Sequence, residues 1–428
     1  MSTALLTDRY ELTMVGSALR DGTASRRCVF EVFARRLPDG RRYGVVAGTG
    51  RLLDLLADFR YDTATVEFLL DQRVVDEATA TFLAEFRFTG DVDGYPEGEV
   101  FFPHSPILTV SGTFAETVML ETVVLSVLNH DCAVAAAAAR MVTAAGGRPI
   151  VEMGSRRTHE QAAVAAARAA YLAGFASTSN LAASRRYGIP TAGTAAHAFT
   201  LLHDDEPSAF RAQVDALGTG TTLLVDTYDL DRGIEHAVAA AGTGLGAVRI
   251  DSGDLAVMAR HAREQLDGLG ARDTRILVSG DLDEFAIAAL AAAPVDAYGA
   301  GTAVVTGSGA PTAGLVYKAV EVDGRPVAKR SEDKPSRGGR KVAVRAHKPT
   351  GTAVEEIVIA GPAPDLDEGQ RLLQVPLIRR GEVVAGQPSL ADSRAHLRAA
   401  TVTLPWDGLK LSKGEPAIPT RVVLNPLG

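Results

Sequence analysis

The chain has 428 residues, with 44 Lys and Arg against 52 Asp and Glu, and a net charge of −8. This length predicts two or three domains, and its 46% hydrophobic and 22% charged residues exclude a largely disordered chain. An acidic chain is a poor general binder of nucleic acid or anionic membrane, because both rely on summed positive charge. Two cysteines, Cys28 and Cys132, are too few for a disulfide scaffold or a cysteine-based zinc site. The N-terminus shows no basic segment followed by an apolar core, so we expect a cytoplasmic enzyme.

The first 110 residues carry apolar and aromatic runs separated by Gly and Pro turns, such as CVFEVFARRLP and FRFTGDVDGYP. This pattern predicts an N-terminal α/β domain over residues 1–110. Within it, DVDG at 91–94 begins like a calcium loop but lacks the later ligands, so a turn is predicted there.

A mostly apolar stretch of 18 residues, TVVLSVLNHDCAVAAAAA, lies between Glu121 and Arg140. Asn129, His130 and Asp131 fall at its centre, where each would be costly in lipid. One or two buried helices of a soluble domain are therefore predicted rather than a membrane span.

Between about Pro149 and Gly301, short apolar runs alternate with Ala-rich helical segments. Runs without strict apolar–polar alternation suit strands buried on both faces of a parallel sheet. Seven such runs predict an irregular TIM-like βα barrel of about seven strands, within a catalytic domain over residues 111–327. The runs are PIVEM, GFAS, the less regular YGIPTAG, TTLLVD, GAVRID, RILVSG and PVDAYGAG.

Residues 328–428 begin with a basic loop and continue as short strands with turn punctuation, such as VAVRA and AVEEIVIA. We expect this β-rich segment to pack on the N-terminal domain, so that one mixed α/β domain flanks the barrel.

Polar, charged or glycine residues follow every predicted strand of the barrel. In a βα barrel the carboxyl ends of the strands meet on one face, where active sites are built. Helix N-capping remains an alternative for any single cluster, but it is a weaker explanation for all seven. The clusters include Glu152, Gly154, Arg156, Ser179, Asn180, Thr194, His197, Asp226, Arg249, Asp251, Ser279, Gly280, Gly299 and Gly301.

The residue types at these strand ends favour a phosphorylated sugar or nucleotide as ligand. Backbone N–H groups of the glycines can cradle a phosphate, and Asp226 and Asp251 are suitable ligands for Mg²⁺. The basic segment at 328–341, which includes Lys329 and Arg330, is either a solvated loop or the seat of a polyphosphate. No Walker A, G-x-G-x-x-G or H-E-x-x-H pattern offers another site.

Several motifs resemble those of the nicotinate phosphoribosyltransferase family, in family order and over nearly the whole chain. The family implies a barrel-like homodimer with an N-terminal α/β domain and sites at the interface. Its reaction joins nicotinate to 5-phosphoribosyl-1-pyrophosphate and is coupled to hydrolysis of ATP, with Mg²⁺ as cofactor. The motifs are TDRYELTM (7–14), FARRLP (33–38), EMGSRRTH (152–159), GTAAH (193–197), VDTYD (225–229), VRIDSGDL (248–255), SGDLDE (279–284), YGAGT (298–302) and LVYKAVE (315–321).

The resemblance also implies residue roles. His197 is similar to the residue that ATP transiently phosphorylates, and Arg249 and Asp251 resemble the pair at the reacting centre. Tyr10 resembles the aromatic residue that reaches across the dimer to cover the pyridine ring. The other residues implied in substrate binding are Arg35, Met153, Arg156, Ser179, Asp226, Gly280, Gly299, Gly301, Lys329 and Arg330.

Two departures and three alternatives accompany this interpretation. Met153 stands where many relatives have Phe, and His130 stands where an aromatic residue is common. A nicotinamide-specific relative would carry Asp where Ser179 aligns, since Asp accepts hydrogen bonds from an amide and repels a carboxylate.

Two further alternatives are less favoured. A quinolinate phosphoribosyltransferase would be shorter and lack His197, and a non-catalytic nucleotide sensor would have lost His197, Asp251 or the basic loop. The acid-specific enzyme is therefore favoured.

Overall fold

The structure, a computed structural model, describes residues 2–329 and 337–423. It divides into a first unit, Met1–Ala136 with Thr312–Gly428, and a second unit, Ala137–Pro311. The chain begins with α1 (Arg9–Asp21), β1 (Arg27–Ala34), β2 (Gly44–Val45), α2 (Thr49–Ala57), α3 (Thr63–Asp71), α4 (Glu77–Glu85), β3 (Asp91–Gly94), β4 (Val100–Phe101), β5 (Leu108–Thr113), α5 (Phe114–Val118) and α6 (Glu121–Ala145).

The apolar stretch predicted as one or two buried helices forms the single helix α6. The helical segment Phe114–Ala145 is long and apolar enough to cross a membrane, but 72% of its most apolar window is buried inside the protein. Asp131, fully buried, accepts hydrogen bonds from Arg51 Nε at 2.9 Å and His130 Nδ1 at 2.8 Å. These hydrogen bonds explain how the Asp131 carboxylate is accommodated in an apolar helix. The buried helix resembles the core helix of a soluble protein.

The second unit is built from successive βα segments, as predicted. It contains β6 (Ile150–Glu152), α7 (Glu160–Ala173), β7 (Ser177–Thr178), α8 (Leu181–Tyr187), α9 (His197–Leu202), α10 (Glu206–Leu217), β8 (Thr222–Leu224), α11 (Leu230–Ala241), a 3₁₀ turn (Gly242–Gly244), β9 (Ala247–Ile250), α12 (Leu255–Gly268), β10 (Arg275–Ser279), α13 (Glu284–Ala289), β11 (Ala297–Ala300) and α14 (Thr302–Val305).

These strands form one parallel sheet in the order β7-β6-β11-β10-β9-β8, which curls as a half-barrel. The prediction of a strand at YGIPTAG, third of the seven along the chain, is wrong: only an isolated bridge joins Thr191 to Thr178. Pro190 lacks the N–H that continued pairing requires, although its carbonyl accepts from Thr178 N. Strand pairing within residues 137–311 therefore stops at β7 and β8 and does not complete a barrel.

The chain then returns to the first unit. It forms β12 (Leu315–Val322), β13 (Arg325–Pro326), β14 (Lys341–His347), β15 (Ala353–Ala360), β16 (Gln370–Leu372), β17 (Val375–Arg379), β18 (Glu382–Val383), α15 (Leu390–Val402), a 3₁₀ turn (Trp406–Leu409) and β19 (Thr420–Val423).

The largest sheet of the first unit has the order β13-β12-β1-β5-β3-β17-β18, so that three N-terminal strands form its centre and C-terminal strands flank them on both sides. A smaller sheet has the order β16-β14-β15-β19, and β2 pairs with β4. The turn predicted at DVDG is wrong, because these residues form β3: Val92 is buried, while Asp93 accepts from Arg340 Nη2 at 2.7 Å. β12 pairs with β1, from Cys28 opposite Val322 to Ala34 opposite Leu315. The second unit consequently ends at Pro311, not at the predicted residue 327, and it begins within α6 rather than at residue 111.

A buried ionic cluster ties the smaller sheet to β4. Arg345, fully buried on β14, donates to Glu99 Oε1 and Glu356 Oε2, each at 2.6 Å. Glu99 also accepts from Arg371 at 2.8 Å and contacts His396 Nε2 at 2.9 Å. Burial alone would raise the pKa of Glu99, but the His396 hydrogen bond and the two guanidinium groups outweigh it and lower the pKa to about 2.

Candidate active site

The predicted site residues of the second unit lie at or just after the carboxyl ends of parallel strands, except His197, because no strand forms at the run YGIPTAG that precedes it. Neighbouring strands are in register, with Leu277 of β10 opposite both Ala297 of β11 and Arg249 of β9. Their following loops therefore lie at the same edge of the sheet, as the sequence predicts.

Arg249 of β9 is the most connected of these residues. Its Nε donates to Ser279 Oγ at 2.8 Å, Nη1 to Thr194 Oγ1 at 3.0 Å and Nη2 to Asp251 Oδ1 at 2.7 Å. The side chain is 11% exposed. The guanidinium thus fixes three separate segments while two of its five N–H groups remain for a ligand.

Asp251 lies directly after β9 and remains ionised at neutral pH. Burial raises its pKa, but hydrogen bonds from Ser279 and Arg249 and the nearby His197 outweigh burial and leave the pKa below its ordinary value. The arrangement holds a negative charge beside a fixed positive one.

Asp226, which follows β8, continues the row of acidic residues. Its Oδ2 accepts from the backbone N–H of Asp251 and from Ser252 Oγ, both at 2.8 Å. Its Oδ1 is buried, has no hydrogen-bond partner among the residues that the structure describes, and lies 3.9 Å from His197 Nε2. An orphaned buried carboxylate oxygen is costly, so this oxygen is suited to a cation that arrives with a ligand.

His197 is the first residue of α9 and is 40% exposed. Its Nδ1 lies 3.1 Å from Thr227 Oγ1, which orients the ring and leaves Nε2 toward Asp226. The histidine is thus held by one ring nitrogen and open to solvent, a geometry compatible with a nucleophile.

Close approach of neighbouring loops requires two of the predicted glycines. Gly280 has a φ of +109°, and a Cβ there would lie 2.5 Å from the Asp251 carbonyl oxygen. A Cβ on Gly299 would lie 2.9 Å from Met153 Sδ, so the thioether packs over this glycine. At Gly301 the nearest atom to an added Cβ is 3.3 Å away, a less strict constraint. Phosphate binding by their N–H groups stays a prediction.

The residues present fit Mg²⁺ only if the substrate supplies further ligands. Among the described residues, no group of three or more His, Cys, Asp or Glu could hold a metal ion. Asp226 and Asp251 offer two adjoining carboxylates, and Mg²⁺ commonly uses one or two carboxylates together with substrate phosphates and water.

Arg156 and Ser179, predicted to bind substrate, lie on the neighbouring loops after β6 and β7, and both are exposed. These loops are joined by a hydrogen bond of 3.0 Å from Asn180 Nδ2 to Ser155 Oγ. The backbone N–H of Ser179 also donates to the Glu152 carbonyl oxygen at 2.8 Å.

Three further predicted residues belong to the first unit. Tyr10 is 45% exposed on α1, and burial together with the Glu121 carboxylate raises the pKa of its hydroxyl. Arg35 follows β1, and its buried Nε has no hydrogen-bond partner among the described residues. Lys329 immediately precedes the undescribed gap, and Arg330 lies outside the described residues.

The other end of the basic segment lines a cavity of about 220 Å³ in the first unit. Arg337, Lys341 and His104 contribute polar groups, and Lys341 Nζ donates to Glu31 Oε2 at 2.8 Å. Burial, together with Arg337 and Arg35, lowers the pKa of His104. Because Glu31 neutralises Lys341 and the lowered pKa favours neutral His104, Arg337 is the group of this described lining that would attract an anionic ligand.

Hydroxyl groups orient the charged residues of the site. The sequence places Thr194 and Ser279 among the polar residues at the strand ends, but only the structure gives them a role, as acceptors of hydrogen bonds from Arg249. Thr227, whose Oγ1 lies 3.1 Å from His197 Nδ1, is missed by the sequence prediction, although it directly follows Asp226 in the motif VDTYD.

Comparison with known proteins places these residues in a family. Residues 5–129 match the model of the nicotinate phosphoribosyltransferase (NAPRTase) N-terminal domain, and residues 134–308 match the quinolinate phosphoribosyl transferase C-terminal domain. The chain is 64% identical to a nicotinate phosphoribosyltransferase of Mycobacterium tuberculosis, covering 98% of this chain and 95% of the relative. It is 31% identical to the nicotinate phosphoribosyltransferase of Bos taurus, covering 91% and 89% of the two chains.

Two crystal structures share the fold. Human nicotinic acid phosphoribosyltransferase matches with a TM-score of 0.84 and 27% identity over 98% of both chains. The nicotinate-nucleotide pyrophosphorylase of Pyrococcus furiosus matches with a TM-score of 0.78 and 25% identity, covering 94% of this chain and 95% of the other.

Proposed function

This chain belongs to the nicotinate phosphoribosyltransferase family, and from that premise we propose that it couples phosphoribosyl transfer to ATP through His197. The enzyme forms nicotinate mononucleotide, in the salvage of NAD from nicotinate. In the coupled reaction, nicotinate, 5-phosphoribosyl-1-pyrophosphate, ATP and water give nicotinate mononucleotide, pyrophosphate, ADP and phosphate. We expect this reaction in the cytoplasm.

The observation that carries the proposal is the continuous row formed by Arg249, Asp251, Asp226 and His197. Each member contacts the next, and the row ends at an orphaned carboxylate oxygen beside a half-exposed imidazole. A row of fixed charges at a sheet edge can stabilise the charge that develops as pyrophosphate leaves the ribose.

Arg249 and Ser179 support selection of the acid over the amide. Arg249 has unused N–H groups for an anionic ring substituent, and Ser179 adds no negative charge that would repel it. Arg156 and the backbone of Gly280, Gly299 and Gly301 would hold the 5′-phosphate.

His197 would take the phosphate on Nε2, because Nδ1 is occupied by the Thr227 hydroxyl. An N–P bond forms as the bond from the γ-phosphorus to the ADP oxygen breaks, and water later cleaves the phosphoramidate. Asp226 and Asp251 would hold Mg²⁺, which neutralises charge on the phosphates when bound. The cavity lined by Arg337 supports binding of a polyphosphate in the first unit, to which Lys329 and Arg330 of the same basic segment would contribute.

A homodimer is supported by exposed apolar side chains near the site. Leu181, Leu201 and Leu202 of α8 and α9 are 73%, 62% and 76% exposed, and Tyr228 after β8 is 63% exposed. Large apolar side chains exposed to this extent are typical of a surface that another chain covers. Tyr10, itself exposed, is suited to contribute to the partner's site.

A product assay with nicotinate and nicotinamide, with and without ATP, tests this function. We expect nicotinate to be preferred by about 10²-fold or more in kcat/KM, roughly 3 kcal/mol, because a buried charge would otherwise lose its partner. Comparable turnover of the two substrates would contradict the selectivity, and an absence of ATP stimulation would contradict the coupling.

A further inference from the structure

Glu152 is a buried acid that the reaction, as described above, does not use. It ends β6 and is 1% exposed. Burial raises its pKa, and the hydrogen bonds from Thr178 and Gly154 only partly offset this effect. A carboxyl group buried against neutral donors at the site edge is costly, so its position requires a reason.

One carboxyl oxygen of Glu152 holds the loop after β6. Its Oε1 accepts from the backbone N–H of Gly154 at 2.5 Å. A Cβ on Gly154 would lie 2.2 Å from Val305 Cγ1 and 2.9 Å from this same Oε1, so the loop is tightly confined. Arg156 lies two residues further along this loop.

The other carboxyl oxygen holds the loop after β7. Glu152 Oε2 accepts from Thr178 Oγ1 at 2.5 Å, and Thr178 Oγ1 in turn accepts from the N–H of Asn180 at 2.9 Å. Asn180 Nδ2 then donates back to Ser155 Oγ of the first loop at 3.0 Å. The hydrogen bonds of Glu152, Thr178, Asn180 and Ser155 thus form a closed ring that joins the two loops. Ser179 lies between two members of this ring along the chain.

We propose that Glu152 is a positioning residue whose carboxyl group sets the spacing between Arg156 and Ser179 by tying together the loops after β6 and β7. The inference rests on the proposed roles of those two residues toward the 5′-phosphate and the nicotinate carboxylate. We assign Glu152 no contact with substrate, because its side chain is buried and each carboxyl oxygen already accepts a hydrogen bond from one of the loops. A small misplacement of a binding group can lower the reaction rate by a large factor, so a ring that fixes the two loops would matter for catalysis.

The test compares Glu152→Ala with Glu152→Gln. The alanine variant opens the ring, and we expect KM for both nicotinate and phosphoribosyl pyrophosphate to rise about tenfold or more, beyond any fall in kcat. The glutamine variant should stay within about threefold of the parent, since its amide can accept from Gly154 and donate to Thr178. Glu206→Ala is the matched control: Glu206 is a buried acid in the same unit, paired with His236 at 2.9 Å on α10 and α11. It should lose thermal stability without a change in KM.

Thr178→Val keeps the inference testable if Glu152→Ala does not fold, because it removes one link while preserving side-chain shape. It should raise both KM values in the same direction. Lower melting temperatures with unchanged KM in these variants would overturn the inference and leave Glu152 a purely structural residue. Equal impairment of the Gln and Ala variants would also overturn it, by showing that the charge itself matters.

Single variants of the loop residues separate this inference from the proposed function. If Arg156→Ala and Ser179→Ala leave KM unchanged, the proposed binding roles fail and the inference fails with them. If those variants raise KM while Glu152→Ala and Thr178→Val do not, only the positioning role is overturned.

Discussion

Replacing Arg249 with Lys tests whether the shape of the guanidinium, rather than its charge, organises the site. Arg249 makes three hydrogen bonds, to Ser279, Thr194 and Asp251, and the last joins two charged groups. A lysine ammonium at the end of a flexible stem can keep one of these bonds but lacks the planar fork that makes all three. Hydrogen bonds from a charged donor contribute about 1.5–3 kcal/mol each, and water can partly replace the two that are lost. We therefore expect the free energy of transition-state binding to weaken by roughly 3–4 kcal/mol.

This loss corresponds to a fall of about 10²–10³-fold in kcat/KM for nicotinate, measured by steady-state formation of nicotinate mononucleotide. Arg263→Lys provides the control. Arg263 also makes three hydrogen bonds, to Asp267, Thr274 and Ala271, but these stabilise the connection between α12 and β10, at the opposite edge of the sheet from the site. It should lower stability and leave kcat/KM unchanged. Arg249→Lys activity within threefold of the parent, or equal to that of Arg263→Lys, would refute the reasoning.

The other predictions concern the nucleophile, the basic segment and the buried ionic cluster. His197→Ala should lose both the acid-labile, base-stable label from γ-labelled ATP and all ATP stimulation, yet retain slow transfer to nicotinate; label that persists would place the nucleophile elsewhere. Neutralising Lys329 and Arg337 together, with Gln at both positions, should raise KM for the phosphorylated substrates while circular dichroism stays unchanged, and an unaltered KM would indicate a solvated segment. Because the folded-state pKa of Glu99 is depressed to about 2, its stabilising contribution is present above the ordinary Glu pKa and is lost as pH falls toward 2. Urea titrations of the parent and Glu99→Gln should therefore converge at low pH. Arg345→Ala should cost about 3–5 kcal/mol at neutral pH, since it leaves the buried Glu356 carboxylate without its charged partner, whereas Glu99 keeps Arg371 and His396.

Much of the candidate site could be predicted from the sequence because parallel strands bring the residues after them to one edge. Asp226, Arg249 and Asp251 illustrate this, since their strands and loops follow one another along the chain and contact each other in the structure. Hydroxyl partners such as Thr227 escaped prediction because serine and threonine occur widely at helix starts, where capping explains them equally well.

Strands that form by pairing with segments far away in the sequence could not be predicted from the local residue pattern. β3 has the sequence of a turn, DVDG, and becomes a strand because β5 and β17 pair with it on its two sides. β12 follows directly after the βα region in sequence, yet it pairs with β1. Neither partner is visible within a window of ten residues, and sheet register is set by such partners.

The pairing of β1 with β12 has a consequence for how the chain folds during synthesis. The ribosome releases residue 28 long before residue 322, so the largest sheet of the first unit cannot close until the second unit has emerged entirely. The second unit is continuous in sequence, and each of its βα segments can dock on the one before it, as in domains that fold while the chain grows. Until β12 is synthesised, the edge of β1 that will pair with it has no partner strand. Seven of the eight residues of β1 are buried in the folded protein, so this edge is a site where the nascent chain can pair incorrectly with another strand.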